Sequence, residues 1–210
     1  MHRSCRPAEF EIKVTGGNPD YTFPLTNGPM IRWFFRRKLD AEEKKLGESM
    51  EYLRHIVDTS PTAFLRFASI MPFANSRKVL PKEAWYVAQI VSLQQEDCGP
   101  CLQITVNLAQ KDRVDADMIR TVLDGNKSQL SGELADVYNF AQSIANSDTN
   151  LDALRESLRL RYGDRGLIEL AYAIASSRIP PTVKRVLGYA KSCHEVTIKT
   201  TATPIQENVV

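Results

Sequence analysis

Residues 83–101 read EAWYVAQIVSLQQEDCGPC. Ala84, Val87, Ala88 and Val91 recur at helical spacing, and Ile90 and Leu93 widen that stripe, so a helix buried on most sides is predicted here. Pro81 opens it, in keeping with the preference for proline at helix starts. Cys98-Gly99-Pro100-Cys101 follows at once and begins a second predicted helix, running to about Gln110. Pro100 falls in its first turn, where a missing N–H costs nothing.

The same periodicity extends outward. Ala41 to Val57 opens with charges and gains apolar spacing at Met50, Leu53 and Val57, which predicts one helix. Ser60-Pro61 reads as an N-cap followed by proline at the first helical position, and Phe64, Phe67, Ala68 and Met71 continue at helical spacing. Asp115 to about Leu123 is a shorter helix. Ser131 is a candidate N-cap for the stripe Leu134, Val137, Ala141, Ile144, and Leu151 to Leu160 follows after a loop. Leu167, Leu170, Ala171 and Ile174 mark a long helix that Pro180-Pro181 is expected to break, with Thr182 to Lys191 resuming it. Strands do not alternate with helices, so the expected fold class is all-α, and a thioredoxin-type sheet is not expected despite the Cys-Gly-Pro-Cys sequence.

The ends read differently. Gly16-Gly17-Asn18-Pro19-Asp20 and Asn27-Gly28-Pro29 are turn clusters, and Phe10, Ile12 and Val14 alternate as a short strand would. The expected organisation is an irregular N-terminal extension with a short basic-aromatic helix (1–40), an all-α domain (41–194) and a C-terminal tail (195–210).

A chain of 210 residues with 43% hydrophobic and 25% charged residues suits one soluble domain with tails. A net charge of +2 does not argue for nucleic acid as a partner. No window approaches the roughly 18 consecutive apolar residues of a membrane span. Met1 to Phe10 lacks the apolar run of a signal peptide, so a cytoplasmic location is expected.

The cysteines are Cys5, Cys98, Cys101 and Cys193. In a chain without an export signal, Cys-x-x-Cys is read as catalytic or metal-binding before structural. Cys5 and Cys193, near the ends, are read as incidental. Two cysteines one helical turn apart bring their sulfurs within disulfide reach. At a helix N-terminus, free N–H groups and the dipole favour thiolate, most directly at Cys98. Glu96 and Asp97 oppose this if ionised, by raising the thiol pKa values. Alternatively Glu96 serves as proton donor or acceptor for the pair. Half a zinc site is the rival reading, but Cys193-His194 has no zinc-type spacing. A pair of merely buried cysteines is the other. A redox dithiol is the favoured reading, and no cofactor or metal is expected.

Residues 83–101 resemble the active-site helix pair of the carboxymuconolactone decarboxylase-like superfamily, and within it the alkylhydroperoxidase AhpD-like branch, which carries Cys-x-x-Cys. The segments NLAQKDRVDADMIRTVL, ELADVYNFAQSI and RGLIELAYAIASSRIPPTVKRVLGYA are similar to that group's later helices. The likeness covers Leu46 to Cys193, about two-thirds of the chain. It implies an all-α domain assembled as a homo-oligomer (dimer, trimer or hexamer) that reduces a hydroperoxide substrate, or relays electrons, with a dithiol electron donor. It also implies that Cys101 reacts with peroxide and Cys98 resolves it, whereas the helix dipole alone favours Cys98 as the activated thiol. Decarboxylases of the superfamily proper do not depend on such a dithiol, so ring-lactone decarboxylation is not expected.

Two departures stand out. The family's histidine, four residues after the second cysteine, is Thr105 here, a hydroxyl that cannot relay a proton as imidazole does. The family's glutamate position is Tyr86. Glu83, one turn earlier, either substitutes or is an exposed acid favoured by the helix start. The loss of the histidine motivates the alternative of a non-catalytic or redox-sensing oligomer. His55 is the histidine with a path to the dithiol through the fold, and a structural role for it is favoured. In Ile31-Arg32-Trp33-Phe34-Phe35-Arg36-Arg37-Lys38, aromatics interleave with bases. A short helix docking its aromatics on the domain or a neighbouring subunit is expected, rather than peripheral membrane contact.

Overall fold

The predicted buried helix runs Lys82–Gln95 and occupies the centre of the computed structural model, which describes residues 28–190 and 196–198. In chain order the helices are α1 (Pro29–Leu46), α2 (Glu51–Thr59), α3 (Pro61–Ile70), α4 (Lys82–Gln95), α5 (Gly99–Lys111), α6 (Ala116–Leu123), α7 (Gly132–Ala145) and α8 (Asp152–Val186), with short 3-10 turns at Met71–Asn75 and Lys127–Gln129. The fold is all-α, and the described residues contain no strand. The alternation at Phe10, Ile12 and Val14, the clusters at 16–20, and Cys5, Cys193, His2 and His194 lie outside the described residues.

Helix α4 is buried along nearly its whole length, from Ala84 to Leu93, because α5, α6, α7 and α8 surround it. The hydroxyl of its fully buried Ser92 donates to the Ala88 carbonyl at 2.7 Å. Val87, Ile90 and Val91 meet Val106 and Ala109 of α5, Ile119 and Val122 of α6, Val137 and Ala141 of α7, and Leu158, Leu170 and Ala173 of α8 in one core. Each fully buried Val, Leu or Ile contributes roughly 1.5–3 kcal/mol, so α4 is the element the rest condense on.

Helices α1–α3 form a second, smaller core of Leu39, Met50 and Val57, with Phe35, Leu53 and Phe64, and reach α5 through Ile104. Ser60 caps α3 as predicted, its hydroxyl accepting from the Ala63 N–H at 3.2 Å ahead of Pro61. Ser131 caps α7 in the same way.

Two expectations are corrected. Ala41–Val57 is not one helix: α1 ends at Leu46, where Gly47 takes a left-handed φ of 74° and its N–H bonds the Glu43 carbonyl at 2.8 Å. Arg54 of α2 then pairs with both Asp40 and Glu43, each at 2.7 Å, so charges read as the start of one helix close a hairpin between two. Nor does Pro180-Pro181 break α8, which continues to Val186. The break lies instead at Gly163, with φ 69° and ψ 176°. Side-chain contacts on both sides of the prolines, described below, hold the last turns in line against the local preference.

The basic-aromatic segment lies within α1. Phe35 docks on Phe64, with ring centroids 5.0 Å apart. Trp33 and Phe34 stay exposed at 60% and 46%, with the Arg37 and Lys38 cations over their rings, so these two aromatics are not docked on this chain's own domain. No helix among the described residues is long and apolar enough to cross a membrane.

Glu169 of α8 is a buried acid with a structural task. Its Oε2 accepts from the N–H groups of Val79 at 2.9 Å and Leu80 at 2.8 Å, fixing the entry to α4. Burial pushes its carboxyl up, but the N–H groups of Leu80, Lys78 and Val79 outweigh this and hold it below the ordinary value. A depressed folded pKa stabilises above the unfolded value of about 4.3, and that stability is lost as pH falls through the folded pKa. Glu169→Ala should therefore cost about 2 kcal/mol in urea unfolding near neutral pH, with the gap to wild type shrinking below about pH 4. A gap that is absent at neutral pH, or constant with pH, would contradict this role.

Candidate functional site

The turn between α4 and α5 is only Glu96, Asp97 and Cys98 long, so α5 must fold straight back along α4. Asp97 has a left-handed φ of 47°, within what aspartate tolerates in tight turns. Cys98 is the N-cap of α5, Pro100 lies in its first turn, and the Leu102 N–H bonds the Cys98 carbonyl at 2.9 Å. The Cα atoms of Cys98 and Cys101 are 5.3 Å apart and the sulfurs are at disulfide distance. Both are buried, with 4% and 7% exposure, against Leu93 and Leu102.

The same antiparallel hairpin separates residues that the resemblance placed together. The Tyr86 hydroxyl donates to Asp112 Oδ2 at 2.6 Å, and Lys82 Nζ donates to the carbonyls of Asp112 and Arg113 at 2.9 and 3.0 Å. Those contacts close the end of the hairpin remote from the cysteines. Glu83, half-exposed and 3.9 Å from Lys82, lies at that end. At 1.5 Å per residue it is roughly 18 Å of helix from the turn that holds Cys98. The expectation that Glu83 could serve the dithiol is corrected, and it is the exposed acid of a helix start.

Glu96 is corrected as well. Its Oε1 accepts from Arg178 Nε and its Oε2 from Arg185 Nη2, both at 2.6 Å, and Arg185 also donates to the Glu96 carbonyl at 2.9 Å. Burial pushes the Glu96 carboxyl up, but Arg185 and Arg178 outweigh it and hold it ionised below the ordinary range. An ionised carboxylate with both oxygens on guanidinium groups is neither a proton donor nor an unscreened anion beside the thiols. It is a clamp tying the cysteine turn to α8.

Thr105 is buried one turn after Cys101 on α5, with no titratable group to offer. The group that meets Cys101 comes from α8. Lys184 Nζ donates to Cys101 Sγ at 3.4 Å and lies 5.0 Å from the centroid of the Tyr52 ring. Lys184 is only 4% exposed. Burial pulls its ammonium below the ordinary lysine value, partly opposed by the Glu48 carboxylate. Burial pushes the Tyr52 phenol up to about 12, so it is neutral near pH 7. His55 packs against Tyr189, ring centroids 5.7 Å apart.

Sequence reasoning missed Lys184 because it broke the helix at Pro180-Pro181. With α8 continuous, Leu170, Ala173, Ser177, Pro181 and Lys184 form one buried stripe at helical spacing. A lysine closing an apolar stripe was the available signal.

Two cavities flank this region. One of about 610 Å³ is lined by Leu102, Gln94 and residues 196–198, which the Gln103 side chain holds by accepting from the Thr197 N–H and donating to its carbonyl. Another of about 420 Å³ lies between α7 and α8, with Arg178 on its wall. The described residues contain no group of three or more His, Cys, Asp or Glu placed to hold a metal ion. No protein-family model, curated protein or solved structure matches the chain.

If the Glu96 clamp ties the dithiol turn to α8, Glu96→Ala and Arg185→Ala should be non-additive in urea unfolding. A coupling energy of about 1 kcal/mol is expected for this partly exposed pair. Strict additivity would show that the contact holds nothing in place.

Proposed function

We propose that the protein is a thiol oxidoreductase that cycles Cys98 and Cys101 between dithiol and disulfide to reduce hydroperoxides or relay electrons, as AhpD-like proteins do. The observation that carries this reading is the pair itself: two sulfurs at disulfide distance across the first turn of a helix. The resemblance of residues 83–101 and the later helices to the AhpD-like branch supports it, as does the all-α fold. By the same resemblance the working unit is a homo-oligomer supplied by a dithiol electron donor.

The chemistry balances without a cofactor. The Cys101 thiolate attacks the distal oxygen of the hydroperoxide and the O–O bond breaks. The sulfur becomes a sulfenic acid, and the alkoxide leaves as alcohol after taking a proton. Cys98 then attacks the sulfenic sulfur, expelling water and forming the disulfide. An external dithiol returns the pair to its reduced state by exchange. The Lys184 contact favours Cys101 for the first step, since a cation beside a thiol lowers its pKa. Cys98, at the helix N-cap, is placed to resolve it.

The burial of both sulfurs favours a second reading, a redox-sensing oligomer that forms the disulfide but does not turn over. Steady-state reduction of an alkyl hydroperoxide with dithiothreitol as donor separates the two. Cys98→Ser and Cys101→Ser should each abolish dithiol-dependent turnover. Turnover that persists in both single variants would sink the proposal, and a wild type that oxidises once and stops would favour the sensor.

A further inference from the structure

We propose that Lys184 is the acid–base group of the dithiol, exchanging a proton with Cys101 from α8 where Thr105 of α5 offers no titratable group. The inference rests on the reading of Cys98 and Cys101 as a reactive pair.

The geometry has three parts. Lys184 Nζ is 3.4 Å from Cys101 Sγ, within direct proton-transfer contact of a large sulfur atom. The amine is almost fully buried, with the Tyr52 ring below it. A buried charge costs several kcal/mol unless it is paired, so an unreactive residue here would be better served by an apolar chain. The titratable groups that face Lys184 are Cys101 from α5, Tyr52 from α2 and Glu48 from the turn before α2. Tyr52 stays neutral and Glu48 acts only through its charge, which leaves Cys101 as the group in contact to trade a proton with. Burial lowers the ammonium below the ordinary lysine value, the direction that proton exchange with a thiol requires.

The proton cycle closes on itself. In the reduced protein the neutral Lys184 amine takes the Cys101 thiol proton, giving an ammonium–thiolate pair. The thiolate sulfur attacks the hydroperoxide and is oxidised by two electrons. The O–O bond is reduced, and the Lys184 ammonium gives its proton to the departing alkoxide, so alcohol leaves and the amine is neutral again. Formation of the Cys98–Cys101 disulfide then releases water with no net proton.

The test uses the full-length reduced protein and two variants. Lys184→Met keeps length and removes the charge, while Lys184→Arg keeps the charge but cannot give up its proton near neutral pH. Iodoacetamide alkylation of Cys101 against pH, followed on its own peptide by mass, reads thiolate content without interference from Cys5 or Cys193. The second-order rate of oxidation by an alkyl hydroperoxide reads the chemistry. In wild type, Cys101 should titrate below the free-cysteine value of about 8.5. Lys184→Met should cut alkylation at pH 7 about tenfold and peroxide oxidation about a hundredfold. Lys184→Arg should preserve alkylation yet still slow peroxide oxidation at least about tenfold, because the thiolate remains but the proton donor does not.

Unchanged alkylation and oxidation in both variants would overturn the proposal and leave Lys184 a packing residue. Full recovery of both in Lys184→Arg would overturn the acid–base role in favour of charge alone. If Lys184→Met does not fold, judged by circular dichroism, the Lys184→Arg comparison decides alone. If wild type does not react with peroxide at all, the proposed function fails. The alkylation profiles then decide about Lys184 separately: unchanged profiles refute its contact with the thiol proton, and peroxide inertness itself overturns the transfer to alkoxide.

Discussion

The Glu96 carboxylate, held between Arg178 and Arg185, joins the turn that carries the cysteines to the second half of α8. Everything specific about the site depends on that junction. Helices α4 and α5 alone would present two cysteines at a helix start with a bare acid beside them. With the junction made, the acid is neutralised by two guanidinium groups and α8 is carried past its prolines. Lys184, one residue before Arg185, is thereby delivered to Cys101. One ion-pair cluster thus sets both the electrostatics and the composition of the site.

The cost of this arrangement falls on α8. Pro180 and Pro181 withdraw two backbone donors from the helix interior. Hydroxyls do some local bonding there: Ser177 donates to the Ala173 carbonyl and Thr182 to the Arg178 carbonyl, both at 2.8 Å. Pro181 is itself buried on the stripe that ends in Lys184. The kink of α8 sits elsewhere, at Gly163, where a side chain would meet no obstruction and the left-handed φ alone makes glycine the fitting residue. The half of α8 that reaches the dithiol is therefore continuous, and its direction is fixed by tertiary contacts at Glu96 and Cys101.

What the sequence disclosed and what it hid follow one physical division. Features decided within a few residues were legible: the Ser60-Pro61 cap, the buried stripe of α4, and the cysteines at the first turn of α5. Those rest on local hydrogen bonding and helical period, which a linear reading contains. Features decided by contacts across about eighty residues were not. Glu96 read as an anion beside the thiols because Arg178 and Arg185 are remote in sequence. Lys184 was lost because a local rule about proline was applied where tertiary contacts outweigh it. Glu83 was proposed from i, i+3 proximity to Tyr86, yet the three-residue turn puts both at the far end of the hairpin. The exposed Trp33 and Phe34 show the same limit, since period alone does not say which aromatics of α1 find a partner.

The central claim is that Cys98 and Cys101 act as one two-electron couple. It is tested most directly by adding one equivalent of an alkyl hydroperoxide to the anaerobically reduced protein, then counting thiols and mapping disulfides by peptide mass. One equivalent of alcohol should appear, two thiols should be lost, and the new bond should link Cys98 to Cys101, leaving Cys5 and Cys193 reduced. Peroxide left unconsumed, or oxidation that falls on Cys5 or Cys193 while Cys98 and Cys101 stay reduced, would contradict it.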